Sequence, residues 1–138
     1  VIINGLVQEK NAKDDNGYIN IKVKKLIEWN EPNGEVCIVS DRITKEGWKA
    51  GYMYREKPNS DYPDSGWRLY AGDEDEEYSN DPNNCHVFAL NTVCNYDPEI
   101  IPYLHSPVGT CLIRVKGGRF ITDDGTQPIV MEKQSGVG

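Results

Sequence analysis

Gly51-Tyr52-Met53-Tyr54-Arg55-Glu56-Lys57-Pro58-Asn59-Ser60-Asp61-Tyr62-Pro63-Asp64-Ser65-Gly66-Trp67-Arg68-Leu69-Tyr70 carries the reading on which the fold turns. Gly51–Arg55 reads as a strand cut off by Pro58, and Trp67-Arg68-Leu69-Tyr70 alternates as a second. Asn59–Gly66 between them is dense in turn formers and predicts a loop. Working outward, Val36–Val39 is a short apolar strand, and Tyr18–Val23 alternates Ile19, Ile21 and Val23 with Asn20, Lys22 and Lys24. With Asn33-Gly34 as turn, residues 18–35 predict an N-terminal strand that forms a hairpin with Val36–Val39.

Ser40 or Asp41 can cap a short helical turn that ends at Gly47. Asp73 precedes an acidic run suited to a helix start, broken by Asp81-Pro82. Cys85–Leu90 predicts a strand, and Asp97-Pro98-Glu99 a short helix. Thr110–Val115 and Arg119–Thr122 flank Gly117-Gly118 as a tight hairpin. The polar tail 125–138 reads as weakly ordered, with Pro128–Met131 as a further edge strand. Strands outnumber short helices and no βαβ repeat appears, so the expected class is α+β with a mainly antiparallel sheet.

At 138 residues the chain fits one domain, residues 1–138. It contains no apolar run of the roughly 18–20 residues that span a membrane. The beginning lacks a basic, apolar, small-residue leader pattern, so a cytoplasmic protein is expected. The four cysteines, Cys37, Cys85, Cys94 and Cys111, form no CxxC pair and read as reduced, small hydrophobes. Cys85, His86 and Cys94 lack the paired spacing of a zinc site. No cofactor is expected. Net charge is −7, which disfavours nucleic acid and anionic membranes and suits a basic protein partner.

The block Val39-Ser40-Asp41-Arg42-Ile43, Gly47-Trp48-Lys49, Gly51–Glu56, Asp64-Ser65-Gly66-Trp67-Arg68, Gly72-Asp73-Glu74, Asn91-Thr92 and Asp97–Ile101 resembles a bacterial family, domain of unknown function 2185, of the immunity protein 33 type. The resemblance spans roughly 36–124. It implies a protein that binds and neutralises a polymorphic toxin, and it brings no established active site.

Trp48, Tyr52, Tyr54, Trp67 and Tyr70 supply large rings. Packing in the core is their plainer role, and an exposed anchor at an interface is the functional one. Arg55 and Arg68 lie near Glu56, Asp64, Asp73 and Glu74, and a bidentate pair through Arg68 would fix the loop before Trp67. Trp48, Arg55, Asp64, Ser65 and Gly66 are therefore expected to be structural. Asp73-Glu74-Asp75-Glu76-Glu77 is either a solvated helix start or, with Trp67 and Arg68, a docking patch for a basic toxin such as a nuclease. An accessory binding domain without a toxin remains the alternative. A carboxylate enzyme built on Asp64 and Glu74 is a further one, although neither histidine sits in a catalytic motif and the chain is expected not to be an enzyme.

Overall fold

A computed structural model describes residues 13–32 and 34–123. Its frame is a six-stranded sheet with spatial order β4-β1-β3-β2-β5-β6. The strands are β1 Val36–Ser40, β2 Tyr52–Arg55, β3 Asp64–Tyr70, β4 Cys85–Ala89, β5 Cys111–Arg114 and β6 Phe120–Thr122. β1 and β3 run parallel and every other neighbouring pair is antiparallel. Short helices α1 (Asp41–Thr44), α2 (Glu76–Asn80) and α3 (Leu90–Tyr96) and two 3-10 turns (Pro82–Asn84, Pro98–Tyr103) connect them. The class is α+β, as the strand-rich pattern predicted.

Local chemistry explains the boundaries. Ser40 caps α1 by accepting the Arg42 N–H, Asp75 caps α2 by accepting from Tyr78, and Asp97 starts the second 3-10 turn with Pro98 behind it. Cys37, Val39, Met53, Trp67, Leu69, Leu112 and Phe120 form one face of the core. Ile43 of α1, Leu90, Val93 and Cys94 of α3, and Ile100 and Tyr103 of the 3-10 turn close over it. Burial pushes the thiols of Cys37 and Cys94 up, that of Cys94 to about 12. All four cysteines are free. Cys85 and His86 are successive residues of β4 and so point to opposite faces of the sheet, away from a shared metal geometry.

Three expectations are corrected. First, the hairpin over 18–35 does not form, because β1 already has β3 on one side and β4 on the other. The segment is instead an extended strap with one isolated bridge, Lys13 to Ile19. Side chains satisfy its backbone: Asn95 accepts from Lys24 N (3.0 Å), Asn91 accepts from Leu26 N (2.7 Å), and both amides donate to the Lys24 carbonyl. Second, Leu90 ends no strand; it opens α3, so the apolar run from Cys85 divides between strand and helix. Third, Asp64-Ser65-Gly66 belongs to β3 rather than to the preceding loop. Pro128–Met131 and the tail lie outside the described residues.

Gly66 makes that third change possible. Its φ is +93°, and a Cβ there would stand 2.2 Å from the Glu56 carbonyl oxygen, the close approach that lets Glu56 N donate to Gly66 O. Gly66→Ala should therefore lower unfolding free energy by at least about 3 kcal/mol in urea denaturation. Gly117→Ala, also at positive φ but with nothing within 4 Å of its Cβ, should cost only about 1–2 kcal/mol. Equal losses would refute the clash.

Candidate interaction surface

Because side chains alternate across a strand, the register divides the sheet into two unlike faces. The Tyr52–Tyr70, Met53–Leu69, Tyr54–Arg68 and Arg55–Trp67 pairs put Met53, Leu69, Arg55 and Trp67 on the core side. Tyr52, Tyr54, Tyr70 and Arg68 stand on the other side, with Ile38 and Val87 from the flanking pairs and Ile113 from β5. Among the described residues, α1, α3 and the second 3-10 turn contribute to the inner cluster, α2 contributes none and brings Ser79 to the outer face, and no comparable apolar layer covers that face. Val87 and Ile113 are exposed there, at 54% and 39%.

The three tyrosines form a triangle, with ring centroids 5.7 Å (Tyr52–Tyr54), 6.4 Å (Tyr52–Tyr70) and 6.2 Å (Tyr54–Tyr70) apart. Gly72, Glu74 and Ser79 complete the wall of a hollow of ≈ 260 Å³ around them. Burial pushes the Tyr70 phenol up, with Tyr54 and Cys85 adding to the effect, so its ring stays neutral.

Glu74 of the acidic run lines this hollow, and the members of the run have different duties. Asp73 lies 3.1 Å from Arg42 Nε. Glu74 accepts from Ala71 N (2.7 Å) and Gly72 N (2.8 Å), and Asp75 caps α2. Glu76 and Glu77 are exposed in the first turn of α2, with no ion pair among the described residues. Like charges packed this closely raise the local potential unless a cation approaches.

Trp67 and Arg68 do not join the patch. Trp67 is 0% exposed and donates Nε1–H to the Leu104 carbonyl. Arg68, 5% exposed, holds Asp64 through two bonds of 2.9 and 2.8 Å and Glu56 through one of 2.6 Å. Asp64 also accepts from Asn59 and Gly66, and Ser65 Oγ accepts from Trp67 N. Arg55 is buried and donates to the Ser65 and Ser106 carbonyls. Trp48, in contrast, is 44% exposed beneath the Arg42 guanidinium.

Both histidines pair with carboxylates. His86 Nδ1 lies 2.8 Å from Asp41, but the adjacent Ser40 is wholly buried as the cap of α1 and is not presented to a substrate. His105 and Arg55 share Glu31 at 2.6 Å each, with Trp29 stacked on His105. That cluster pins the strap, and sequence spacing gave no signal for it, since Glu31 is 74 residues from His105. Asp64 and Glu74 are committed to Arg68 and to backbone donors, which leaves neither poised as an acid–base pair.

Burial pushes the Asp64 carboxyl up, but Arg68 and the backbone N–H groups of Asn59 and Gly66 outweigh it and hold its pKa below the usual value. The pair's contribution is therefore complete above the ordinary carboxyl pKa of 3.8 and is lost as pH falls through the depressed one. Asp64→Asn should cost about 3 kcal/mol at pH 7, because Arg68 stays buried without its counter-charge. Urea midpoints from pH 2 to 7 should show a shallower acid limb for the variant, and parallel curves would refute the assignment.

No helix of the described residues is long and apolar enough to cross a membrane. A family model described as the immunity protein Imm33 domain matches residues 37–124. That span takes in all six strands except Val36, the tyrosine triangle and the acidic run, and leaves out the strap. No curated protein and no solved structure matches the chain.

Proposed function

Since the chain belongs to the Imm33 immunity protein family, we propose that it binds a protein toxin stoichiometrically in the cytoplasm and neutralises it by covering a basic working surface. The phosphate-binding cleft of a nuclease is the fitting kind of surface. The observation that carries this reading is the outer sheet face, which lacks an apolar covering layer among the described residues, exposes Val87 and Ile113 at its flanks and is bordered by Glu74, with the exposed Glu76 and Glu77 following in sequence. Tyrosine is a favoured interface residue because it gives large, amphipathic contact area at small entropic cost. Excess negative charge speeds encounter with a cationic partner and repels nucleic acid competing for the same cleft. The part expected of Trp67 and Arg68 passes to Tyr52, Tyr54 and Tyr70, since the first two are occupied inside the fold.

The direct experiment is calorimetric titration against the toxin encoded beside this gene. Glu76→Lys combined with Glu77→Lys leaves the duties of Asp73, Glu74 and Asp75 intact. It should weaken binding at least about tenfold, roughly 1.4 kcal/mol, at low salt and flatten the salt dependence. Unchanged affinity and salt slope would place the interface elsewhere.

A further inference from the structure

We propose that the hollow between Tyr52, Tyr54 and Tyr70 is a seat for one cationic side chain of the partner, arginine above all. The partner's existence rests on the function proposed above; the hollow's chemistry does not.

Several of the chain's other aromatic rings carry a cation of their own. Arg42 lies over Trp48 and Tyr78, Lys45 over Tyr18, Arg55 over Trp29 and Trp67, and Arg114 over Phe120. Among the described residues no such cation covers Tyr52, Tyr54 or Tyr70. The nearest candidate in the register, Arg68 opposite Tyr54, is taken up by Asp64 and Glu56. Three tyrosine rings thus share an open hollow with no cation from the described residues over them.

Glu74 supplies the charge. The Ala71 and Gly72 N–H groups fix both of its oxygens, and it makes no ion pair among the described residues. Its orientation is settled before any ligand arrives, and its negative charge is not cancelled. Aromatic faces attract cations through their quadrupole, and a carboxylate beside them adds direct Coulomb attraction. At ≈ 260 Å³ the hollow lies below the range of drug-sized ligand pockets and suits a single side chain. The near-parallel planes of Tyr54 and Tyr70, 11° apart, favour a flat guanidinium that can stack over a compact ammonium.

The test begins without the toxin. N-acetylarginine amide is titrated into the wild-type protein while the tyrosine ring signals are followed by NMR, with the neutral N-acetylcitrulline amide as control. Saturable shifts at Tyr52, Tyr54 and Tyr70 with a dissociation constant of millimolar order, absent with citrulline, are expected. Glu74→Gln should weaken that binding about fivefold or more. No saturation by about 50 mM, or equal shifts with citrulline, overturns the seat. Tyr54→Leu is then measured against the adjacent toxin and should lose at least about tenfold in affinity. If arginine amide binds and Tyr54→Leu leaves toxin affinity unchanged, the claim that the partner fills the hollow falls. If arginine amide binds and the wild-type protein does not bind the toxin at all, it is the immunity reading that fails.

Discussion

The buried bond between Arg68 and Asp64 is the constraint around which the rest is arranged. β3 is flanked by β1 and β2, and its Arg68 stands on the sheet face that lacks a covering layer among the described residues. A guanidinium held there at 5% exposure requires its counter-charge at hand. Asp64 provides it from four residues back on the same strand, which extends β3 backwards through Ser65 and Gly66. That extension needs the backbone of Gly66 to meet Glu56 closely, and Glu56 in turn completes the guanidinium's shell. With β3 set, Trp67 and Leu69 point into the core and Tyr70 points outward beside Tyr52 and Tyr54.

This dependence explains why the family mark Asp64-Ser65-Gly66-Trp67-Arg68 is a device of folding. Every one of its side chains is turned inward or spent on a neighbour, and the Gly66 position admits no side chain at all. Tyr52, Tyr54 and Tyr70 share the outer face with Arg68 of the mark, which is itself buried there.

What the sequence made legible follows from range. An apolar run located β1, alternation located β2 and the end of β3, the Gly117-Gly118 turn located β5 and β6, and the Asp-Pro and Ser-Asp signals located the caps, because each depends on neighbours a few residues apart. Alternation in Tyr52-Met53-Tyr54 also placed those two rings on one face. It could not say which face was covered, since that is decided by where α1, α3 and the 3-10 turn cross. The strap was misread for a related reason. Ile19, Ile21 and Val23 alternate as in a strand, yet a strand needs a vacant edge, and β1 has none. Asn91 and Asn95 take over its backbone bonds from more than sixty residues away, a pairing with no local signature.

The charge along the chain is divided in a way that bears on how the outer face works. Lys22, Lys24 and Lys25 lie on the strap, whose residues pack beside α3, while Glu74 lines the hollow and Glu76 and Glu77 follow it, exposed, on α2. The strap itself is balanced, because Asp14, Asp15, Glu28 and Glu31 offset Lys13, Lys22, Lys24 and Lys25, so any pull on a cationic partner would come from the acidic edge. Attraction alone does not make a stable complex. A standard interface needs about 800 Å² from each partner, far more than three rings provide. The face has more to offer: Ile38, Val87 and Ile113 continue the apolar surface from β4 to β5 on either side of the tyrosines. Steering by the acidic edge, a fixed point at the tyrosine hollow and burial of the aliphatic flanks would act in that order, each depending on the sheet face that Arg68 and Asp64 hold in place.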